Sequence, residues 1–353
     1  MTEVCPSLVA TASELFTDEA CAELKAAFCG VEGASTCEVR VAAPGLIFVT
    51  LPTPAMMSSF QRAVVDTRPI FTRHLHRIDS VLNVAGLGPD DLKERLLDCT
   101  LELLRKVGGG AQRTIFQVRK VASEAAVSGG QMAVWLRSLV EEGAPEGTGS
   151  DLIVSCTALG HGIYLGLGDP VGNLSSRMGG AIHYNMSRFP VSRAGAKLAE
   201  AFEVFLPLDS IPRPARAIDL GAAPGGWTAV LVDHGFTVDA IDPGEMHPSL
   251  TSHSQVTAHR VKAQDWRPRG AKYQLLTCDV NWSAKETALA VLGLATHLSP
   301  EALAVVTIKL NQGPALPQIE SVKGIFSSCF RVESIRSLFH NRREVTLLLR
   351  RLA

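Results

Sequence analysis

Two rhythms of apolar and polar positions run along these 353 residues. A helical spacing from Glu14 to Phe28 sits among the strand-like segments Cys37–Val41 and Gly45–Val49, so residues 1–60 read as a small α/β module. Pro52 and Pro54 punctuate its end. From Asp90 to Lys106 the spacing predicts an amphipathic helix with Leu92, Leu96, Leu97 and Leu101 on its apolar side. Gly108, Gly109 and Gly110 then read as a flexible turn, since no Lys-Ser/Thr follows to make a phosphate loop. A strand at Thr114–Val121, a helix from Met132 to Glu142, and strands at Asp151–Cys156 and Gly162–Leu167 around His161 complete a second region, 61–170. Residues 171–190, rich in Gly, Ser, Asn and Pro, read as a linker.

The remainder, 191–353, has the order of a Rossmann-like domain. Ser192 is placed to cap a helix carrying Leu198 and Phe202 on one face; Lys197 sits beside that stripe, and helix geometry alone points it to water. After the glycine-motif strand come three short strands, each ending in an aspartate: Val238–Asp242, Arg260–Asp265 and Tyr273–Asp279. Ala302–Leu310 is an apolar strand ending in Lys309, and Arg343–Leu349 is one entered by Glu344. The fold class expected is α/β, with a smaller α/β region ahead of the C-terminal domain.

Composition changes this picture little, and charge changes it more. Apolar residues make up 46% and no apolar run reaches membrane-spanning length, so neither a membrane partner nor a membrane anchor is expected. The acidic start Met1–Cys5 does not read as a signal peptide, and the expected location is cytoplasmic. Eight cysteines without C-x-x-C pairs or a His set argue against a metal centre or a disulfide framework. Net charge is −1, yet residues 1–170 carry −6 and residues 171–353 carry +5, which puts phosphate affinity on the C-terminal half. A second basic cluster, Arg68, Arg73, His74, His76 and Arg77 around Phe71, reads either as a solvated strand face or as an RNA contact.

The stretch Ala217 to Thr228 carries the candidate chemistry. It gives strand, glycine turn and helix, and the next strand ends at Asp242, placed to accept hydrogen bonds from a ribose diol. Glycines 221, 225 and 226 are expected to let backbone approach a bound molecule. The pattern is not G-x-G-x-x-G. A lysine at a strand end after five apolar residues, such as Lys309, is costly unless it has partners and a purpose.

Gly221-Ala222-Ala223-Pro224-Gly225-Gly226-Trp227 resembles motif I of FtsJ-like S-adenosylmethionine-dependent RNA methyltransferases. Lys197, Asp279, Lys309 and Glu344 fall in the order of that family's Lys-Asp-Lys-Glu tetrad. The segments Ser192–Phe205 and Phe339–Thr346 resemble, within it, the ribosomal RNA large-subunit methyltransferase M group, and 61–170 resembles a THUMP domain in its element order. The resemblance implies S-adenosylmethionine held by Asp219, Gly221, Ala223, Pro224, Gly225, Gly226 and Trp227, with Asp242 on its ribose, Asp265 on its adenine amine and Asp279 near its methionine moiety. It implies catalysis by Lys197, Asp279, Lys309 and Glu344, with Lys309 as proton acceptor, no metal, and a ribosomal RNA cytidine as substrate. The same chemistry on tRNA, or a non-catalytic RNA-binding protein on a retained cofactor fold, are the alternatives. Burial and a nearby Lys197 would lower the Lys309 pKa, and Asp279 and Glu344 would raise it; the sequence leaves that balance open.

Overall fold

The computed structural model describes residues 5–31, 36–107, 113–141, 151–205, 211–268, 270, 272–311 and 313–353. The glycine run 108–110 and Glu142 lie outside them. The chain divides into two units, 1–181 and 182–353.

The first unit holds two four-stranded sheets. One is built from β1 (Leu8–Thr11), α1 (Thr17–Cys29), β2 (Glu38–Ala43), β3 (Leu46–Thr50), α2 (Met57–Thr67) and β4 (His74–Arg77), in the antiparallel strand order β2-β3-β1-β4. The other comprises β5 (Ser80–Asn83), α3 (Pro89–Arg105), β6 (Thr114–Ser123), α4 (Gly129–Glu141), β7 (Leu152–Gly160) and β8 (Gly162–Gly168), ordered β5-β8-β7-β6. Here β6 and β7 are parallel, with α4 as the crossover, and β8 returns antiparallel. α3 forms where the leucine spacing said it would: Pro89 opens it, Asp90 and Asp91 oppose the positive end of its dipole, and Leu92, Leu96 and Leu103 are buried.

For His74, His76 and Phe71, both readings of the basic cluster are overturned. His74 and His76 are buried on β4, each only 2% exposed, and Phe71 is fully buried. His74 Nε2 meets Gln117 Oε1 at 2.7 Å and His76 Nε2 meets Thr157 Oγ1 at 2.9 Å, partners supplied by β6 and β7. Burial pushes the two imidazoles down to about 3 and about 4, so both are neutral. They are internal polar pairs, neither a solvated face nor an RNA contact.

The second unit is one seven-stranded sheet. Its elements are α5 (Gly195–Phe205), β9 (Ala215–Leu220), α6 (Gly226–Asp233), β10 (Phe236–Ile241), α7 (Pro248–Thr251), β11 (Val256–His259), β12 (Tyr273–Cys278), α8 (Ala284–Gly293), β13 (Leu298–Lys309), α9 (Ala315–Phe326), β14 (Phe330–Arg336) and β15 (Glu344–Arg351). The strand order is β11-β10-β9-β12-β13-β15-β14. β9 through β13 run parallel, and β15 is antiparallel to both its neighbours. The chain reverses its spread between β9 and β12, which is where such sheets open a crevice beyond the strand carboxyl ends. Because β15 runs backwards, its first residue rather than its last reaches that edge, and Glu344 pairs in register with Lys309. The expected strand Arg260–Asp265 is not one. The strand ends at His259, and residues 263–265 turn so that Asp265 N–H donates to the Lys262 carbonyl, letting the apolar Trp266 bury.

Candidate active site and cofactor cleft

A cavity of about 530 Å³ lies at the crevice, within the size range of small-molecule sites. Each of four parallel strands sends residues to it: Gly221 and Ala223 after β9, Asp242 after β10, Lys262 and Gln264 after β11, and Asp279, Val280 and Trp282 after β12. The turn is fastened to the next strand, since Gly221 N–H and Ala222 N–H both donate to the Ile241 carbonyl. Gly221 takes φ +76°, and a Cβ there would stand 2.8 Å from Val280 Cγ1. Asp242 accepts a hydrogen bond from Gly244 N–H at 2.6 Å through one oxygen. An acidic residue on one wall and a glycine-floored turn beside it suit a ribose and its attached groups.

Four charged side chains gather at one end of this cavity. Lys197 Nζ lies 2.9 Å from Asp279 Oδ2 and 2.5 Å from Glu344 Oε1. Lys309 Nζ lies 3.2 Å from Asp279 Oδ1 and bonds Glu344 Oε2. Each lysine thus touches both carboxylates, and side-chain exposures of 6–17% keep the quartet largely out of water. Two cations and two anions in alternation leave no unpaired charge, the condition under which buried ions are tolerated. Burial alone would lower the Lys309 pKa, but the Asp279 and Glu344 carboxylates outweigh it and hold the pKa above its ordinary value. Burial alone would raise Glu344, but Lys197 and Lys309 hold it below the usual carboxylate range. The balance left open by the sequence therefore falls on the carboxylate side: Lys309, expected as the proton acceptor, carries its proton in this arrangement. Lys197, expected to face water, is 9% exposed and points into the quartet, drawn there by two carboxylates that helix periodicity cannot see.

The motif I residues divide by role. Gly221, Ala223, Asp242 and Asp279 line the cavity; Asp219, Pro224, Gly225, Gly226, Trp227 and Asp265 do not. Pro224 and Asp265 are exposed. At glycines 225 and 226 the protein's own packing already leaves no room for a Cβ. A Cβ on Gly225 would lie 2.1 Å from Leu250 Cδ1, and one on Gly226 would lie 2.9 Å from Ser192 Cβ and 3.1 Å from Gly195 N. Trp227 is buried and its indole N–H donates to the Ala194 carbonyl at 2.9 Å. Gly226 and Trp227 together seat the start of α5, whose first residue, Gly195, is two residues before Lys197. Asp219 is 1% exposed and accepts from Thr228 Oγ1 at 2.7 Å and Thr277 Oγ1 at 2.9 Å, bracing β9 against α6 and β12.

Sequence reasoning passed over two residues that support the quartet. Glu200, 1% exposed and one turn beyond Lys197 on α5, accepts from Phe339 N–H at 2.6 Å and His340 N–H at 2.8 Å, and pairs with His340 Nδ1 at 2.6 Å. Asn341 accepts from Leu338 N–H at 2.8 Å and reaches Glu344 Oε1 with its amide at 3.4 Å. The two segments singled out for their resemblance to one group, around 200 and around 340, meet here. Their far separation in sequence hid it.

Residues 190–323 match the FtsJ-like methyltransferase family, a span that contains Lys197, Asp279 and Lys309 and stops short of Glu344. A protein of Serratia proteamaculans named "Ribosomal RNA large subunit methyltransferase M" is 36% identical over 172 residues, 46% of each chain. Proteins of the same name from Edwardsiella ictaluri and Idiomarina loihiensis are 36% and 34% identical, over 47% of each chain and over 50% and 51% respectively. The chain spans about half the length of the curated relatives it matches. The second unit, with its glycine turn, strand-end acids and cofactor-sized cavity, therefore carries an FtsJ-like methyltransferase domain, whose family implies S-adenosylmethionine as cofactor.

Proposed function

We propose that this protein is an S-adenosylmethionine-dependent ribose 2′-O-methyltransferase acting on large-subunit ribosomal RNA, at a cytidine. The observation that carries the reading is Asp279, which lines the cofactor cavity while bonding both lysines of the quartet, so that a methyl donor and a hydroxyl acceptor share one wall. The relatives named for large-subunit RNA support the substrate class. The first unit, with its β6-α4-β7-β8 order, supports an accessory THUMP-like RNA-binding role for residues 61–170.

When bound, the cofactor supplies a sulfonium methyl open to in-line attack. Asp242 would accept from the cofactor's ribose diol and Asp279 would hold its methionine end, both from the lining of the cavity. A ribose hydroxyl is a weak nucleophile and needs its proton directed away. Lys309 meets the hydroxyl at Nζ. As the O–CH₃ bond forms, the hydroxyl proton passes to Lys309 while a Lys309 proton passes to Glu344 Oε2, its hydrogen-bonded partner. Lys197 holds Asp279 and Glu344 in place through this shift. The products are the methyl ether, the neutral thioether and one proton on Glu344, which water removes.

Mapping 2′-O-methylation on total RNA from cells with and without the gene tests the reading. One cytidine signal in large-subunit RNA should disappear and return with the native gene but not with Lys309→Ala. A signal lost from tRNA instead, or none lost, would overturn it.

A further inference from the structure

Beside the quartet, five aromatic rings form a continuous string. Phe189 meets Tyr184 edge-on at 5.5 Å, Tyr184 stacks on His340 at 5.4 Å with 20° between planes, His340 meets Phe339 at 5.2 Å, and Phe339 meets His183 at 4.8 Å. Only Phe189 is buried; His183 is exposed and the other three are partly exposed, the His340 side chain to 19%. Rings that serve only to dock a segment are normally apolar and covered, whereas three of these carry polar edges and meet water. Phe, Trp and Tyr make up just 6% of the chain, so the gathering is not a by-product of composition.

The string is fixed to the reacting groups by short links. Glu200 pins the backbone of Phe339 and His340 and lies three residues after Lys197, and Asn341 reaches Glu344. Arg188 stands 5.8 Å from the Tyr184 ring centre, and Arg193, four residues after Phe189, and Arg342 and Arg343, just after His340, are likewise exposed. Among the described residues Arg193, Arg342 and Arg343 make no ion pair. The one exposed carboxylate on the string, Glu203, accepts from the Tyr184 hydroxyl at 3.1 Å.

We propose that the ledge from His183 through Phe339 to Tyr184 stacks an unpaired nucleobase of single-stranded RNA next to the methylated ribose, with the surrounding arginines on its phosphates. The inference rests on the RNA reading of the quartet. Unpaired RNA splays its bases out, and such bases stack on aromatic rings beside the nucleotide being read. Aromatic faces accept any base, and arginines track the backbone.

The test uses the full-length protein, a short fluorescent single-stranded RNA of mixed sequence, the same RNA with its central bases replaced by abasic sites, and the corresponding duplex. Phe339→Ala and His183→Ala are each expected to weaken single-strand binding about five- to a hundredfold. The slope of affinity against salt should stay as in the parent, because no phosphate contact is removed. The parent should lose similar affinity for the abasic strand, and Phe339→Trp should retain binding. Cofactor affinity and the thermal midpoint are measured alongside. If Phe339→Ala does not fold, His183→Ala carries the test, since His183 is exposed. Unchanged single-strand binding, an equal loss for duplex, or a loss matched by falling stability and cofactor affinity would each overturn the ledge. Binding is read without turnover, so a parent that binds the strand through the ledge yet transfers no methyl group counts against the proposed reaction and not against the ledge.

Discussion

At the scale of single residues, the chemistry rests on groups whose charge is set by what surrounds them. A free lysine base would make kcat rise tenfold per pH unit until its pKa, which for Lys309 lies above the ordinary value near 10.5. The relay to Glu344 needs Lys309 charged and Glu344 ionised, and the depressed Glu344 pKa keeps it so down to acid pH. We therefore expect kcat to be flat from about pH 6 to about pH 9. A pH profile with unit slope over that range would return Lys309 to the role of a free-amine base. Asp219 shows the opposite shift. Burial, with the charges of Asp279 and Asp242 adding to it and two threonine hydroxyls partly offsetting it, pushes its pKa up to about 7. In the unfolded chain the same group ionises near pH 4, so the folded state resists ionisation that the unfolded state accepts. Its contribution to stability is complete below about pH 4 and is lost as pH rises to about 7. Asp219→Asn should show a shallower decline in urea midpoint over that window than the parent; parallel curves would mean that Asp219 does not titrate there.

At the scale of elements, placement of the quartet depends on two helices meeting through glycine. Gly226 opens α6 and its Cα faces the backbone at Ser192 and Gly195, where α5 begins. Trp227 hangs on the Ala194 carbonyl in the same corner. A methyl group at 226 would meet backbone atoms at 3.1 and 3.2 Å, which cannot swing aside as a side-chain end can. Gly226→Ala should thus displace α5 by a few tenths of an ångström or more and carry Lys197 with it. The expected result is a fall in kcat of about ten- to a hundredfold while cofactor affinity changes little, since residue 226 does not line the cavity. Calorimetric titration of cofactor beside steady-state rates would check this, and a variant with weakened cofactor binding and native kcat would refute it. β15 contributes a second placement. Were it parallel to β13, Arg351 at its other end and not Glu344 would reach the edge of the cleft.

At the scale of the molecule, each unit has its own sheet or sheets and core, and the formal charge divides close to their boundary, −6 over residues 1–170 and +5 over 171–353. The half carrying +5 contains the quartet, the aromatic ledge and the unpaired arginines, where a polyanion would need to dock. The half carrying −6 builds an internal polar network around two neutral histidines instead. No helix among the described residues is long and apolar enough to cross a membrane.

Much was legible in the chain itself. Apolar pattern placed α3, β6, β8, β12 and β15 within two residues of their bounds, and β7 and β13 four residues short at one end, because α3 buries one stripe while β12, β13 and β15 are covered on both faces and read as apolar runs. The order of Lys197, Asp279, Lys309 and Glu344 named the charged candidates. Contacts between distant segments were not legible. A histidine reads as polar until β6 and β7 cover it, and Lys197 reads as solvated until two carboxylates arrive from β12 and β15. Of the motif glycines, Gly221 does line the cavity, whereas at Gly225 and Gly226 the sequence cannot show that Leu250 and the start of α5 stand against them. Local pattern determines which face of an element is apolar, whereas the identity of what lies against a polar residue is decided by the sheet order, and only the folded chain contains that.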